Sequence, residues 1–86
     1  MKKEFVISNE QGLHARPATT LVSKANQYKS KITITHDGET ADLKSIMGVL
    51  SLGVNPGALV EIVIEGDDET EAMEAITQHI RELNVQ

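Results

Sequence analysis

Short runs in which apolar and polar residues alternate predict three β-strands along the chain. The runs are Lys3–Ser8 around Phe5 and Ile7, a run around Ile32 and Ile34, and a run around Val60, Ile62 and Ile64. Asp37-Gly38, after the second run, favours a type I′ turn, so Glu39–Asp42 should pair back on that run as a fourth, short strand. Because each strand is apolar on one face, we expect a mostly antiparallel sheet with helices on a single side.

Spacings of three and four residues between apolar side chains predict three amphipathic helices. The expected helices are Ala15–Gln27, Ser45–Leu52 and a third that begins at Asp67 or Asp68 and buries Ala72, Ile76, Ile80 and Leu83. Glu71 follows Asp68 at the spacing of a capping box, which should close the start of the third helix. The resulting order, βαββαβα, predicts one α+β domain over residues 1–86.

Composition and charge narrow the class of function. Thirteen acidic and eight basic residues give a net charge of −5, which argues against direct binding of nucleic acid. The absence of cysteine from the sequence excludes disulfides and thiolate metal sites. No apolar run approaches the roughly 20 residues of a membrane span, so we expect a cytoplasmic protein without membrane insertion. A chain of 86 residues seldom hollows out a substrate pocket, which favours a surface site completed by partner proteins.

The segment Gly12–Pro17 carries the strongest chemical signal in the sequence. Pro17 fits the first turn of a helix, which places His14 at or next to the N-cap. The free N–H groups and the positive end of the helix dipole favour an anion there, and the Arg16 guanidinium can grip phosphate oxygens. These residues predict a surface site that accepts and holds a phosphoryl group, although alone they also fit an exposed loop histidine.

The other two histidines, His36 and His79, carry no comparable signal. We expect both to be solvated, and neither stands at metal-ligand spacing from a second histidine. The sequence therefore predicts no metal site and no cofactor.

Ser45 is predicted to be the N-cap of the second helix. Ile46, Met47, Val49 and Leu50 place apolar groups on more than one side of this short helix, so part of it should be exposed as a docking surface. A phosphate on Ser45 would add about two negative charges at the start of the helix. Taken alone, the residues favour an ordinary cap over a phosphorylation site.

Two separated motifs give the chain a close resemblance to the HPr family. They are Gly12–Thr19, GLHARPAT, and Lys44–Gly53, KSIMGVLSLG. HPr proteins are the histidine-containing phosphocarriers of the bacterial phosphoenolpyruvate-dependent sugar phosphotransferase system. The resemblance extends over nearly the whole chain and implies an open-faced β-sandwich with sheet order 1-4-2-3 and three helices on one face.

The resemblance also implies roles for individual residues. His14 would be phosphorylated on Nδ1 by Enzyme I and would pass the phosphoryl group to sugar-specific IIA domains, while Arg16 steadies the phosphate. Ser45 would be the regulatory serine that HPr kinase/phosphorylase modifies, creating a corepressor for the catabolite control protein. The residues expected to contact partners are Ala15, Thr19, Lys44, Ile46, Met47 and Leu50. By this interpretation the chain is a phosphoryl carrier and not a turnover enzyme by itself.

One alternative within the same family is a mainly regulatory module. The catabolite-repression HPr of bacilli shares the serine motif but has glutamine where the active histidine would stand. Here His14 is present, so phosphoryl transfer is the favoured interpretation. An autonomous hydrolase is the weakest alternative, because only Glu10 lies near His14 in sequence as a group that could activate water.

Overall fold

The fold follows the predicted order βαββαβα. The computed structural model describes residues 1–85, so Gln86, the end of the predicted domain, lies outside the described residues. The elements are β1 (Lys2–Ile7), α1 (Ala15–Ala25), β2 (Lys31–His36), β3 (Glu39–Asp42), α2 (Ile46–Ser51), β4 (Ala58–Glu65) and α3 (Glu69–Asn84). Asp37 and Gly38 have φ angles of 53° and 83°, as the predicted type I′ turn requires.

The strands form one antiparallel sheet in the order β1-β4-β2-β3, which confirms the predicted topology. Alternate residues of the strands face the helices, so Ile62 pairs with Ile34 in the buried layer. The other sheet face is open: Val6 and Leu59 pair across β1 and β4 with 52% and 53% of their surfaces exposed. The sheet is therefore covered on one side, as its half-apolar strands require.

The helices form the other half of the core through the apolar stripes that the sequence predicts for α1 and α3. The buried apolar residues of α1 and α3 are Pro17, Ala18, Leu21, Val22, Ala25, Ala72, Met73, Ile76, Ile80 and Leu83. Full burial of one leucine or isoleucine side chain contributes roughly 1.5–3 kcal/mol, so these stripes account for the docking of both helices on the sheet. Among residues 1–85, none of the helices combines the length and hydropathy that a membrane crossing requires.

One predicted helix end and one predicted capping interaction are wrong. Helix α1 ends at Ala25 and not at Gln27, because the Asn26 side chain donates to the carbonyl of Val22 at 2.9 Å and caps the helix there. The predicted capping box of α3 is absent from the described residues: Asp68 is the N-cap, but its side chain makes no capping bond.

The Asp68 carboxylate serves a tertiary contact instead. It accepts hydrogen bonds from the backbone N–H of Lys29, at 2.8 Å, and from the N–H and hydroxyl of Ser30. The Ser30 hydroxyl, followed by the Lys29 N–H, lowers the pKa of Asp68 below its ordinary value. This contact ties the start of α3 to the entry of β2.

Candidate functional site

The sheet order brings the segment after β1 next to the segment before β4. Ile7 at the end of β1 pairs with Ala58 at the start of β4. The N–H of Leu13 donates to the carbonyl of Val54 at 2.9 Å. Gly12 has a φ of +59°, and a Cβ there would stand 2.3 Å from the Val54 oxygen, so glycine is required for this close approach. These contacts fix the backbone that leads into α1.

His14 is the N-cap of α1, as predicted, with extended backbone angles of φ −112° and ψ 160°. Its half-buried ring makes no capping bond to the helix among the described residues and turns instead to the opposite loop. Nε2 lies 3.2 Å from Oδ1 of Asn55. An amide oxygen can only accept, so Nε2 is the donor in this contact, and in the neutral ring the lone pair is then on Nδ1. The ring is thus held in the tautomer that makes Nδ1 the nucleophilic nitrogen.

The first turn of α1 is suited to hold an anion beside this ring. Pro17 has no N–H, which leaves the exposed residues Ala15 and Arg16 to supply the free donors of the first turn. Ala15 has a φ of +45°, a left-handed conformation that costs a non-glycine residue about 1–3 kcal/mol. Within residues 1–85, the Arg16 guanidinium has no carboxylate within 4.0 Å. Its charge is therefore available to a ligand.

Ser45 is the N-cap of α2, also as predicted. Its Oγ accepts a hydrogen bond from the N–H of Gly48 at 3.1 Å, and the side chain is half-buried. The preceding residue is fixed to the end of α1: Lys44 donates from Nζ to the carbonyl of Tyr28 at 2.7 Å, and its own carbonyl accepts from Asn26 at 3.1 Å. The Lys44 ammonium is thus held by the backbone and is less free to meet a partner than the sequence suggests.

His14 and Ser45 lie at opposite ends of α1. The start of α2 contacts the end of α1, whereas Val54, after α2, contacts the segment before α1. Helix α2 therefore runs back along α1, and the two sites lie near opposite ends of α1, an 11-residue helix about 16 Å long. The structure thus separates the predicted phosphoryl site from the predicted regulatory serine.

The predicted partner-binding residues differ in exposure. Met47 is 77% exposed and Ile46 is 41% exposed, which is unusual for large apolar side chains. Thr19 is exposed on α1, but its hydroxyl is already bonded to the carbonyl of Ala15 at 3.1 Å. Leu50 is half-buried and packs against the core. Among the predicted partner-binding residues, the large exposed apolar side chains are therefore those in the first turn of α2.

The expectation that His79 is solvated is wrong. His79 is half-buried between α1 and α3, and its Nε2 lies 3.1 Å from Oγ1 of Thr20. Burial, followed by the nearby charge of Lys24, lowers the pKa of His79 below its ordinary value, and Glu82 opposes this in part. His36 is also half-buried, with Nδ1 3.2 Å from the carbonyl oxygen of Leu59.

His79 and Arg16 line one groove of about 340 Å³, a feature that sequence analysis did not anticipate in so small a chain. It lies between the loop that follows β1, the start of α1 and the end of α3. Its polar lining includes Asn9, Glu10, Thr20 and Glu82. Among residues 1–85, no three side chains of metal-ligating types lie close enough together to hold an ion.

Comparison with known proteins gives a consistent result. A family model described as the PTS HPr component phosphorylation site matches residues 1–82. The chain is similar to the solved structure of HPr-C-His from Thermoanaerobacter tengcongensis, with 40% identity, a TM-score of 0.95, and coverage of 100% of this chain and 97% of that one. HPr from Bacillus anthracis is 40% identical over 92% of this chain and 94% of its own, with a TM-score of 0.88. Crh, the catabolite repression containing protein of Bacillus subtilis, is 39% identical over 90% of this chain and 88% of its own, with a TM-score of 0.76.

Proposed function

The chain belongs to the HPr family, the phosphocarriers of the bacterial phosphotransferase system, and from this premise we propose that its phosphoryl acceptor is His14. The donor is phosphorylated Enzyme I, and the recipients are sugar-specific IIA domains. The observation that carries the proposal is the pairing of His14 Nε2 with Asn55, which in the neutral ring leaves the lone pair on Nδ1 at the start of α1.

The chemistry follows from this arrangement. The Nδ1 lone pair attacks phosphorus, a nitrogen–phosphorus bond forms, and the bond from phosphorus to the donor atom of Enzyme I breaks with its electron pair leaving on the donor. The ring then carries a proton on Nε2 and a phosphoryl group on Nδ1, so it gains positive charge. The hydrogen bond from Nε2 to Asn55 strengthens as that charge develops.

The new phosphoryl group meets donors that are already in place. The N–H groups of Ala15 and Arg16 and the positive end of α1 stabilise its negative charge. The Arg16 guanidinium, which has no carboxylate within 4.0 Å among residues 1–85, adds a planar pair of donors that fits phosphate oxygens. Transfer to a IIA domain reverses the same step with the recipient as nucleophile.

The partners dock on the face that these elements share. The exposed side chains of Ile46 and Met47 provide its apolar contact near the end of α1. The other residues proposed for this face are Ala15 and Thr19 on α1, Lys44 just before α2 and Leu50 within it. A common face suits a shuttle, since donor and recipient must each reach the same nitrogen in turn. The compartment that fits these partners is the cytoplasm.

Regulation through Ser45 is the second part of the proposal. HPr kinase/phosphorylase would modify the Ser45 hydroxyl, and the phosphorylated chain would act as a corepressor with the catabolite control protein. The position of Ser45 supports this, because a phosphate there adjoins Ile46 and Met47 while the α2 N–H groups tolerate its charge. The 39% identity with Crh favours a mainly regulatory protein as the second candidate, and the presence of His14 favours the carrier.

Phosphoryl uptake separates the two candidates. The chain is incubated with phosphoenolpyruvate and catalytic Enzyme I, and acid-labile phosphate is measured on the protein. Wild type and Ser45→Ala should each take up one equivalent of phosphate, and His14→Ala should take up none. Circular dichroism should show that all three proteins are folded. Uptake by His14→Ala would refute His14 as the acceptor. Absence of uptake by wild type, with Ser45 still modified by the kinase, would favour the regulatory module.

A further inference from the structure

A chain of hydrogen bonds connects α3 to the first turn of α1. The Thr20 hydroxyl donates to the carbonyl of Pro17 at 3.2 Å. A hydroxyl has one hydrogen, so the 3.1 Å contact between His79 Nε2 and Thr20 Oγ1 requires the imidazole to donate. His79, Thr20 and Pro17 therefore form a directed relay that begins on α3 and ends on the backbone of α1.

The relay ends beside the groups that would hold the phosphoryl group. Pro17 is buried and directly follows Arg16 in the first turn. His79, Thr20 and Arg16 also line the same groove. A side chain on a separate helix thus braces the turn on which the donors of the proposed site are mounted.

The groups around the His79 ring act on its protonation in opposite directions. Burial of the ring and the charge of Lys24 on α1 favour its neutral form, whereas Glu82 on α3 favours the charged form. Arg16 and Glu10 face the same groove from α1 and from the loop after β1. In both forms Nε2 can carry a hydrogen, so the donation to Thr20 persists.

We propose that His79 is a positioning residue for phosphoryl transfer at His14, acting through Thr20 and Pro17 on the first turn of α1. The inference rests on the proposed function for its effect on transfer. Loss of the relay leaves the turn less rigid, so Arg16 and the backbone N–H groups meet the transferring phosphoryl group less well aligned. One hydrogen bond of ordinary strength corresponds to a slowing of between about twofold and tenfold.

Four variants test the relay. His79→Leu removes the donor and Thr20→Val removes the hydroxyl with little change of volume, whereas His79→Gln and Thr20→Ser keep the hydrogen-bonding groups. Phosphoryl transfer from Enzyme I is measured well below each melting temperature. His79→Leu and Thr20→Val should slow transfer by the stated range, their combination should be no slower than either alone, and the conservative variants should recover most of the wild-type rate. A purely structural role would lower the melting temperature and leave the rate of the folded protein unchanged.

Two results would overturn the proposal. One is transfer at the wild-type rate by both His79→Leu and Thr20→Val, and the other is additive slowing in the double variant. Amide hydrogen exchange in the unphosphorylated protein supplies a readout that does not depend on the proposed function. His79→Leu should accelerate exchange at Ala18 and Thr19, which follow the braced turn. Unchanged exchange there would refute the brace even if His14 is phosphorylated normally, whereas faster exchange in a chain that accepts no phosphate would refute only the carrier function.

Discussion

The Nε2 atom of His14 lies 3.2 Å from the Oδ1 atom of Asn55, a residue 41 positions further along the chain. This contact sets which nitrogen of the neutral ring carries the proton, and it would stabilise the charge that the ring gains in the proposed phosphorylation. Asn55→Ala should therefore slow phosphoryl uptake from Enzyme I by between about twofold and tenfold, the range of one hydrogen bond. Because Asn55 is exposed, the melting temperature should change little.

The matched control for this variant is Pro56→Ala, which alters the same exposed turn without touching the imidazole. It should be phosphorylated at close to the wild-type rate. Equal slowing in both variants would assign the effect to the turn and not to the Asn55 amide.

Arg16 should affect transfer more than folding. Its side chain is exposed and forms no ion pair within the described residues, so Arg16→Ala should leave the melting temperature nearly unchanged. Arg16→Lys keeps the charge but loses the planar pair of donors, so its transfer rate to a IIA domain should fall between those of wild type and Arg16→Ala. Unchanged transfer by Arg16→Ala would show that the helix terminus alone suffices.

A charge at Ser45 should act on docking and not directly on His14. The two sites lie near opposite ends of α1, whose length of about 16 Å exceeds the Debye length of about 8 Å at physiological ionic strength. Ser45→Asp should slow phosphorylation of His14 by repelling the acidic partner surface expected opposite Lys24, which lies at the same end of α1 as Ser45. It should keep or slightly raise the melting temperature and recover part of the lost rate at high salt.

Ser45→Ala is the control for this variant. It loses the bond from Gly48, so it should be less stable by about 1 kcal/mol while accepting phosphate on His14 normally. A Ser45→Asp protein that melts much lower, or that is phosphorylated at the wild-type rate in low salt, would contradict the electrostatic mechanism.

The pH dependence of stability should contain a contribution from His79. Its pKa in the folded chain lies below the ordinary value of 6.5, so the unfolded chain binds the proton first as the pH falls. His79 makes its full contribution to stability above the pKa that it has in the unfolded chain. This contribution is lost as the pH falls toward the lower pKa that His79 has in the folded chain. Between pH 7.5 and pH 5, the melting temperature of His79→Gln should therefore fall by less than that of the wild type. His36→Gln controls for the removal of a histidine, and an equal loss in wild type and His79→Gln would contradict the prediction.

The fold could be predicted largely from the sequence because β2 and β4 bury alternate residues and the helices carry continuous apolar stripes. The hairpin at Asp37-Gly38 and the N-caps at His14 and Ser45 are local features, and all three were predicted correctly. The capping box at Asp68 failed because a carboxylate near several N–H groups can bond to any of them, and Lys29 and Ser30 outcompete the helix.

The tertiary contacts of His14 and His79 could not be derived from local sequence patterns. Asn55 looks like an ordinary turn residue, yet the sheet order 1-4-2-3 already places the start of β4 at the end of β1, which is a signal for its proximity to His14. His79 offered no such signal, because its role depends on how α3 packs against α1 at Thr20.

Nitrogen-15 NMR of the histidine side chains before and after phosphorylation by Enzyme I tests the central claim most directly. The account predicts that His14 is protonated on Nε2 at neutral pH before the reaction and carries phosphorus on Nδ1 afterwards, and that Asn55→Ala shifts the tautomer population toward Nδ1–H. A ring protonated mainly on Nδ1 in the wild-type protein, or a phosphoryl group on Nε2, would contradict it.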